Sequence, residues 1–246
     1  TTSCQNVMLS SAVITVNALP TVYFVVGGGS YCAGGTGVHI GINNSQVGVS
    51  YQLMLGLATV GSPIAGTGTS LNFGPQTAAG SYTVVATNTA TTCMDNMSGS
   101  ANVSINSLPA SFAVTGGGSY CAGGTGHNVF LSGSSVGVNY QLYVDGTATG
   151  LPVAGTGTLL DFGVQSTPGI YTVVATVVLT GCSDNMLGTT SITIDPLPVV
   201  YTVTGGGSYC IGGVGLHVGL SLSEMGVSYQ LYKGTTAIGG LVGGTG

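Results

Sequence analysis

Residues 80–87 read Gly-Ser-Tyr-Thr-Val-Val-Ala-Thr, and this stretch decides the fold because it alternates and because it returns. Tyr82, Val84 and Ala86 fall on one side of an extended chain, the two-residue period of a strand with one buried face. The six letters from Tyr82 stand again at 171–176, shifted by 89 residues. The same shift relates GGGSYCAGGTG at 27–37 to an identical stretch at 116–126 and to GGGSYCIGGVG at 205–215. It also relates Tyr51-Gln52-Leu53, Tyr140-Gln141-Leu142 and Tyr229-Gln230-Leu231, and the pairs Leu19-Pro20, Leu108-Pro109 and Leu197-Pro198. No insertion or deletion breaks the period, so the chain is a tandem array.

Proline cannot donate to a strand ladder, so the Leu-Pro pairs serve as boundaries. They divide the chain into the end of a repeat at 1–20, complete repeats at 21–109 and 110–198, and the first half of a repeat at 199–246. The chain as written starts and stops inside repeats. That is expected of a segment of a longer array, or of end fragments completed by neighbouring molecules. Continuous covalent repetition is the simpler expectation.

Outward from 80–87, short runs rich in Val, Ile, Thr and Tyr are separated by Gly, Asn and Ser clusters. They predict strands near 22–26, 38–42, 49–55, 69–73, 81–87 and 101–105, with one more near Pro63. No run carries a helical period. Six or seven short strands in a repeat of this length predict an all-β chain of antiparallel, immunoglobulin-like β-sandwiches, with a small barrel as the alternative.

Composition narrows the function. Only 3% of residues are charged, with one Lys and no Arg, and mean hydropathy is +0.54. A lone cation cannot neutralise a run of phosphates, which excludes nucleic acid as a partner. No apolar run reaches the roughly 18 residues of a membrane-spanning helix. Disordered chains are rich in charge and poor in β-branched residues, and collagen needs glycine at every third position, so neither class fits.

The six cysteines occupy two positions of the repeat: a leading one, at Cys32, Cys121 and Cys210, and a trailing one, at Cys4, Cys93 and Cys182. Each complete repeat holds one of each. The expected pairs are Cys32 with Cys93 and Cys121 with Cys182, each a disulfide worth about 4 kcal/mol in the loop-entropy model. The alternative, Cys4 with Cys32, would staple neighbouring repeats. Cys4 and Cys210 lack partners within their own fragments, and a Cys4–Cys210 bridge between two molecules is a further expectation. Zinc is disfavoured by the absence of Cys-x-x-Cys spacing. Disulfides place the chain in an oxidising, extracellular setting. No signal peptide opens it, as expected of a mature or excised segment.

Groups for chemistry are scarce. His39 and His217 share a repeat position held by Asn128 in between, and His127 sits one place earlier, so no histidine role recurs. No serine triad and no recurring pair of carboxylates is present, and the chain reads as non-enzymatic and without cofactor or metal. Asp95-Asn96 and Asp184-Asn185 recur, but one carboxylate per repeat is too few for calcium, and an Asx turn is expected there. The GGGSYCAGGTG segment lacks the Gly-Lys-Ser/Thr ending of a phosphate loop and reads as a tight inter-strand connection. Tyr31, Tyr51, Tyr82 and their equivalents offer a polysaccharide platform, though core packing is the commoner use of such residues. The sequons at Asn43, Asn96 and Asn102 do not recur in the next repeat.

The segment GSYTVVATNTATTC followed by NVSINSLP resembles the immunoglobulin-like repeats of very large cell-surface proteins of Bacteroidota. Those repeats close in A-G-T-Y-T-V-x-V/A-T…G-C and then I-N-P-L-P. Gly80–Val84 with Cys93, Gly169–Val173 with Gly181-Cys182, and Ile194-Asp195-Pro196-Leu197-Pro198 carry the likeness. The family includes gliding-motility-type adhesins and other long surface filaments exported by the type IX pathway. The resemblance implies a structural extracellular filament or adhesin stalk whose partner is more of the same repeat. Two departures stand out: the charge is unusually low, and no C-terminal sorting domain is present. Low charge removes the repulsion that keeps soluble proteins apart, which favours self-association. A polysaccharide-binding array gripping surface glycans, and the accessory stalk of a secreted hydrolase, are the alternative functions.

Overall fold

A computed structural model describes residues 1–6 and 10–246. Among the described residues there is no helix. The first complete repeat carries β1 (Val25–Gly27), β2 (Gly29–Cys32), β3 (Val38–Ile42), β4 (Val49–Leu55), β5 (Ala58–Ala65), β6 (Leu71–Gln76), β7 (Gly80–Asn88), β8 (Met94–Asn96) and β9 (Ala101–Asn106). One sheet has the order β1-β3-β6, and the other β2-β9-β7-β4-β5 with β8 on the far end of β7. This is the immunoglobulin-like arrangement, with the strands pairing antiparallel except for β2 against β9.

The alternation read from the sequence is the core. Ile40 and Ile42 from one sheet meet Val49, Tyr51 and Leu53, Tyr82, Val84 and Ala86, and Ala101 and Val103 from the other. Each large side chain so buried contributes about 1.5–3 kcal/mol. Pro63 in β5 and Pro75 in β6 both lie on edge strands of their sheets, where the missing N–H is not needed.

Two strands differ from the sequence reading. GGGSYC is not a plain connection: β1 ends at Gly27 and β2 begins at Gly29, so the chain crosses from one sheet to the other over three glycines. Gly27 and Gly28 have φ of 94° and 79°, and a Cβ on Gly28 would lie 2.6 Å from the Asn102 carbonyl oxygen. Only glycine allows that crossing. The expected Asx turn at Asp95 is instead strand β8, paired with Val85–Thr87 of β7. The Asp95 carboxylate accepts from the next residue's N–H at 2.8 Å rather than spanning a turn.

The chain folds into two compact units, residues 1–111 with 135–140 and 174–185, and residues 112–134 with 141–173 and 186–246. The second unit contains a three-stranded sheet of Val114–Gly116, His127–Leu131 and Leu160–Gln165, the counterpart of β1-β3-β6. In it Gly118–Cys121 also runs parallel to Thr190–Asp195, in the register of β2 and β9. Over 199–246 two separate two-stranded sheets form: Val203–Gly205 with Val218–Leu220, and Ser228–Lys233 with Thr236–Gly243.

Candidate functional site: the cysteine poles of a repeat

Two tyrosines set the frame. Tyr82, near the start of β7, donates its hydroxyl to the Ala78 carbonyl at 2.8 Å, and Tyr171 donates to the Thr167 carbonyl at 2.7 Å. This is the tyrosine corner of immunoglobulin-like domains. Tyr51 and Tyr140 are also wholly buried, and their hydroxyl oxygens accept from the Gln46 and Ser135 N–H groups at 2.8 Å. Burial pushes the hydroxyl pKa of Tyr51, Tyr82 and Tyr171 above the ordinary tyrosine value. A sugar cannot reach these rings, so the tyrosine platform expected from the sequence loses Tyr51, Tyr82 and Tyr140. Tyr31 is half-buried, with its hydroxyl donating to the Thr77 carbonyl.

The glutamine of Tyr-Gln-Leu has a role that alternation does not reveal. A bulge interrupts the β4–β5 register between Tyr51 and Leu53, and the Gln52 Nε2 donates to the Leu53 and Val60 carbonyls at 2.8 and 2.9 Å. Gln141 makes the same bonds to Leu142 and Thr149. The recurrence of the triplet is the one signal in the sequence that points to it. Ser45, also buried, similarly ties the Thr69 carbonyl at 2.6 Å to the Thr67 N–H at 3.0 Å.

The histidines make local strand contacts. The His39 Nδ1 lies 3.2 Å from the Asn72 side-chain amide, a cross-strand position occupied in the second repeat by Asn128 and Asp161. His127 Nε2 is 2.8 Å from the Ser119 carbonyl oxygen, and the ring stands edge-on to Tyr120. Among the described residues no three His, Cys, Asp or Glu side chains cluster as metal ligands would.

The cysteines are where structure and sequence part. Cys32 is bonded to Cys182, not to Cys93, across a sequence separation of 150, and Cys4, Cys93, Cys121 and Cys210 are free. Strand registers give the reason. Cys32 pairs with Asn106 at the end of β9, whose earlier residue Val103 faces Gly80 at the start of β7. The Cys93 carbonyl instead accepts from the Asn88 N–H at the finish of β7. The two are about eleven strand positions apart, roughly 35 Å, whereas a disulfide holds its Cα atoms within about 7 Å. A leading and a trailing cysteine of one repeat therefore sit at opposite poles. The expected Cys32–Cys93 pair is corrected on this ground, and Cys121–Cys182 because Cys182 is taken by Cys32. A Cys4–Cys210 bridge would restore the same within-repeat geometry and fails with it. The Cys4–Cys32 alternative is not formed either.

No protein-family model matches the chain, and no curated protein is similar to it. Among solved structures it is similar to the Clostridium thermocellum CbhA fibronectin(III)-like modules, at 13% identity and a TM-score of 0.35 over 70% of this chain and 95% of that one. It is also similar to the human OSCAR ligand-binding domain, at 11% identity and a TM-score of 0.29 over 71% of this chain and 98% of that one. For the four N-terminal Ig domains of Dscam1 the values are 11% and 0.22, over 92% of this chain and 68% of that one. The chain's own strand order and its tyrosine corners make it a tandem, all-β, immunoglobulin-like protein.

Proposed function

We propose that this chain is a structural, non-enzymatic array of immunoglobulin-like repeats that builds an extracellular filament or the stalk of a surface adhesin, with copies of the repeat as its main partner. The observation that carries the reading is the Cys32–Cys182 bond, which joins a leading and a trailing cysteine of consecutive 89-residue repeats. A disulfide between repeats adds tensile continuity to an array and has no part in a catalytic pocket. It also belongs to an oxidising compartment, which supports the extracellular assignment. The likeness to Bacteroidota adhesin repeats supports a cell-surface origin. Near-absence of charge lets neighbouring arrays approach without repulsion. Domain bounds follow the Leu-Pro pairs, with repeats at 21–109 and 110–198 flanked by the partial repeats 1–20 and 199–246.

Negative-stain electron microscopy of the native material tests this. Regular filaments, surviving denaturant while the disulfides stay oxidised, are the expected result. Separate short rods that never associate end to end overturn the filament.

A further inference from the structure

We propose that Cys121 and Cys210 each make the bond that Cys32 makes, with a trailing cysteine 150 positions further along the array, so that a continuous ladder of disulfides joins successive repeats. The inference rests on the array reading above and goes beyond it by naming the partners.

The backbone around free Cys121 and Cys93 is that around bonded Cys32 and Cys182. Beside bonded Cys32, the Ala33 N–H donates to the Asn106 carbonyl at 2.9 Å; beside free Cys121, Ala122 donates to Asp195 at the same distance. Cys32 and Cys121 each end a strand parallel to the last strand of their repeat, in the same register. On the trailing side, the carbonyl of bonded Cys182 accepts from Val177 at 2.8 Å, and that of free Cys93 from Asn88 at 2.9 Å. The residue before each has positive φ, 72° at Gly181 and 60° at Thr92. Free Cys121 and free Cys93 are thus carried on the frameworks of the bonded Cys32 and Cys182, and the separation of the poles denies each a partner within its own repeat.

The period identifies the partners. Moving 150 positions on from Cys121 and stepping back three repeats of 89 lands on Cys4; the same step from Cys210 lands on Cys93. In a head-to-tail series of copies every cysteine is then used once: Cys32–Cys182 within a chain, and Cys121–Cys4 and Cys210–Cys93 between chains. Further repeats of one longer chain would supply the same trailing cysteine. Each bond forms as two thiols surrender two protons and two electrons to a disulfide-form thiol oxidoreductase, which leaves as its dithiol.

The test is disulfide mapping of native material. Free thiols are alkylated first, the unreduced protein is digested with pepsin, and linked peptides are identified by mass spectrometry. Where copies of the chain meet head to tail, Cys121–Cys4 and Cys210–Cys93 peptides are expected beside Cys32–Cys182. If Cys121 and Cys210 are joined instead to trailing-cysteine peptides outside this sequence, the ladder stands with further repeats as its source. Recovery of Cys121 or Cys210 alkylated, or bonded to any other position of the repeat, overturns the ladder. Filaments seen by microscopy would survive that failure, so the two readings fall separately.

Discussion

Residues 21–68 and 199–246 are the same half-repeat in sequence, yet they keep water out to very different degrees. Leu53 is 1% exposed and its counterpart Leu231 46%; Ile40 is 1% exposed and Val218 48%. All the strands but the counterpart of β2 form in both places, down to the glutamine clamp, where Gln230 reaches the Leu231 and Ile238 carbonyls at 3.2 and 3.0 Å. What the 199–246 segment lacks is a counterpart of β6, β7 and β9, whose Leu71, Tyr82, Val84 and Val103 close the sandwich over Ile40 and Leu53. Its inner face lines an open cavity of about 820 Å³ among Val203, Leu220, Tyr229, Leu231 and Val242. Local sequence makes the strands and the hairpin, and chain from later in the repeat makes the core.

The comparison breaks most visibly at Leu53. Leu53→Ala leaves a cavity in a closed core and is expected to cost about 2–5 kcal/mol, whereas Leu231→Ala, at an open face, costs under about 1 kcal/mol. Urea unfolding of the full chain followed by tyrosine fluorescence measures both. Equal losses would mean that the 199–246 face is covered in solution.

A smaller difference lies at the glycine crossing. Gly28 and Gly206 have nearly the same φ, 79° and 76°, but a Cβ at Gly28 meets the Asn102 carbonyl and one at Gly206 meets nothing within 4 Å. Gly206→Ala should cost about 1 kcal/mol for the left-handed backbone alone, and Gly28→Ala about 2–3 kcal/mol because the last strand must also shift. Thermal unfolding of the two variants reads the gap. Its absence would show that β9 yields freely.

These contrasts also mark how far sequence reaches. Val38–Ile42 and Val49–Leu55 are legible to the residue because their alternation and flanking turns are local. Gly29–Cys32 is not, since a strand of Gly, Ser, Tyr and Cys has no apolar period and exists through its parallel pairing with β9, far along the chain. At 207–210 the same letters lack such a partner and form no strand. Cysteine pairing fails for a related reason. Counting thiols per repeat shows that one leading and one trailing cysteine are available, but only the sheet register shows them at opposite ends of β7. The tyrosine corner is half legible: alternation places Tyr82 in the core, and only the structure shows its hydroxyl turning back to Ala78.

That hydroxyl supports the finest test, because it acts in the closed repeat and has no counterpart within 199–246. Burial raises the Tyr82 pKa above the tyrosine value of 10.0, with the nearby Tyr31 adding to the shift and the bond to Ala78 opposing it. The folded state therefore holds the proton more tightly than the unfolded one. Its contribution to stability is fully present below about pH 10 and is lost as pH rises from there through the folded value. Tyr51 and Tyr171 are shifted the same way, so alkaline loss should be shared among the three. Tyr82→Phe is expected to cost about 1–2 kcal/mol at neutral pH through the lost hydrogen bond, and to make the decline above about pH 10 shallower. Unfolding midpoints followed from neutral to strongly alkaline pH, with reductant absent, measure both. A variant as steep as the parent would assign the alkaline loss to tyrosines other than the corner.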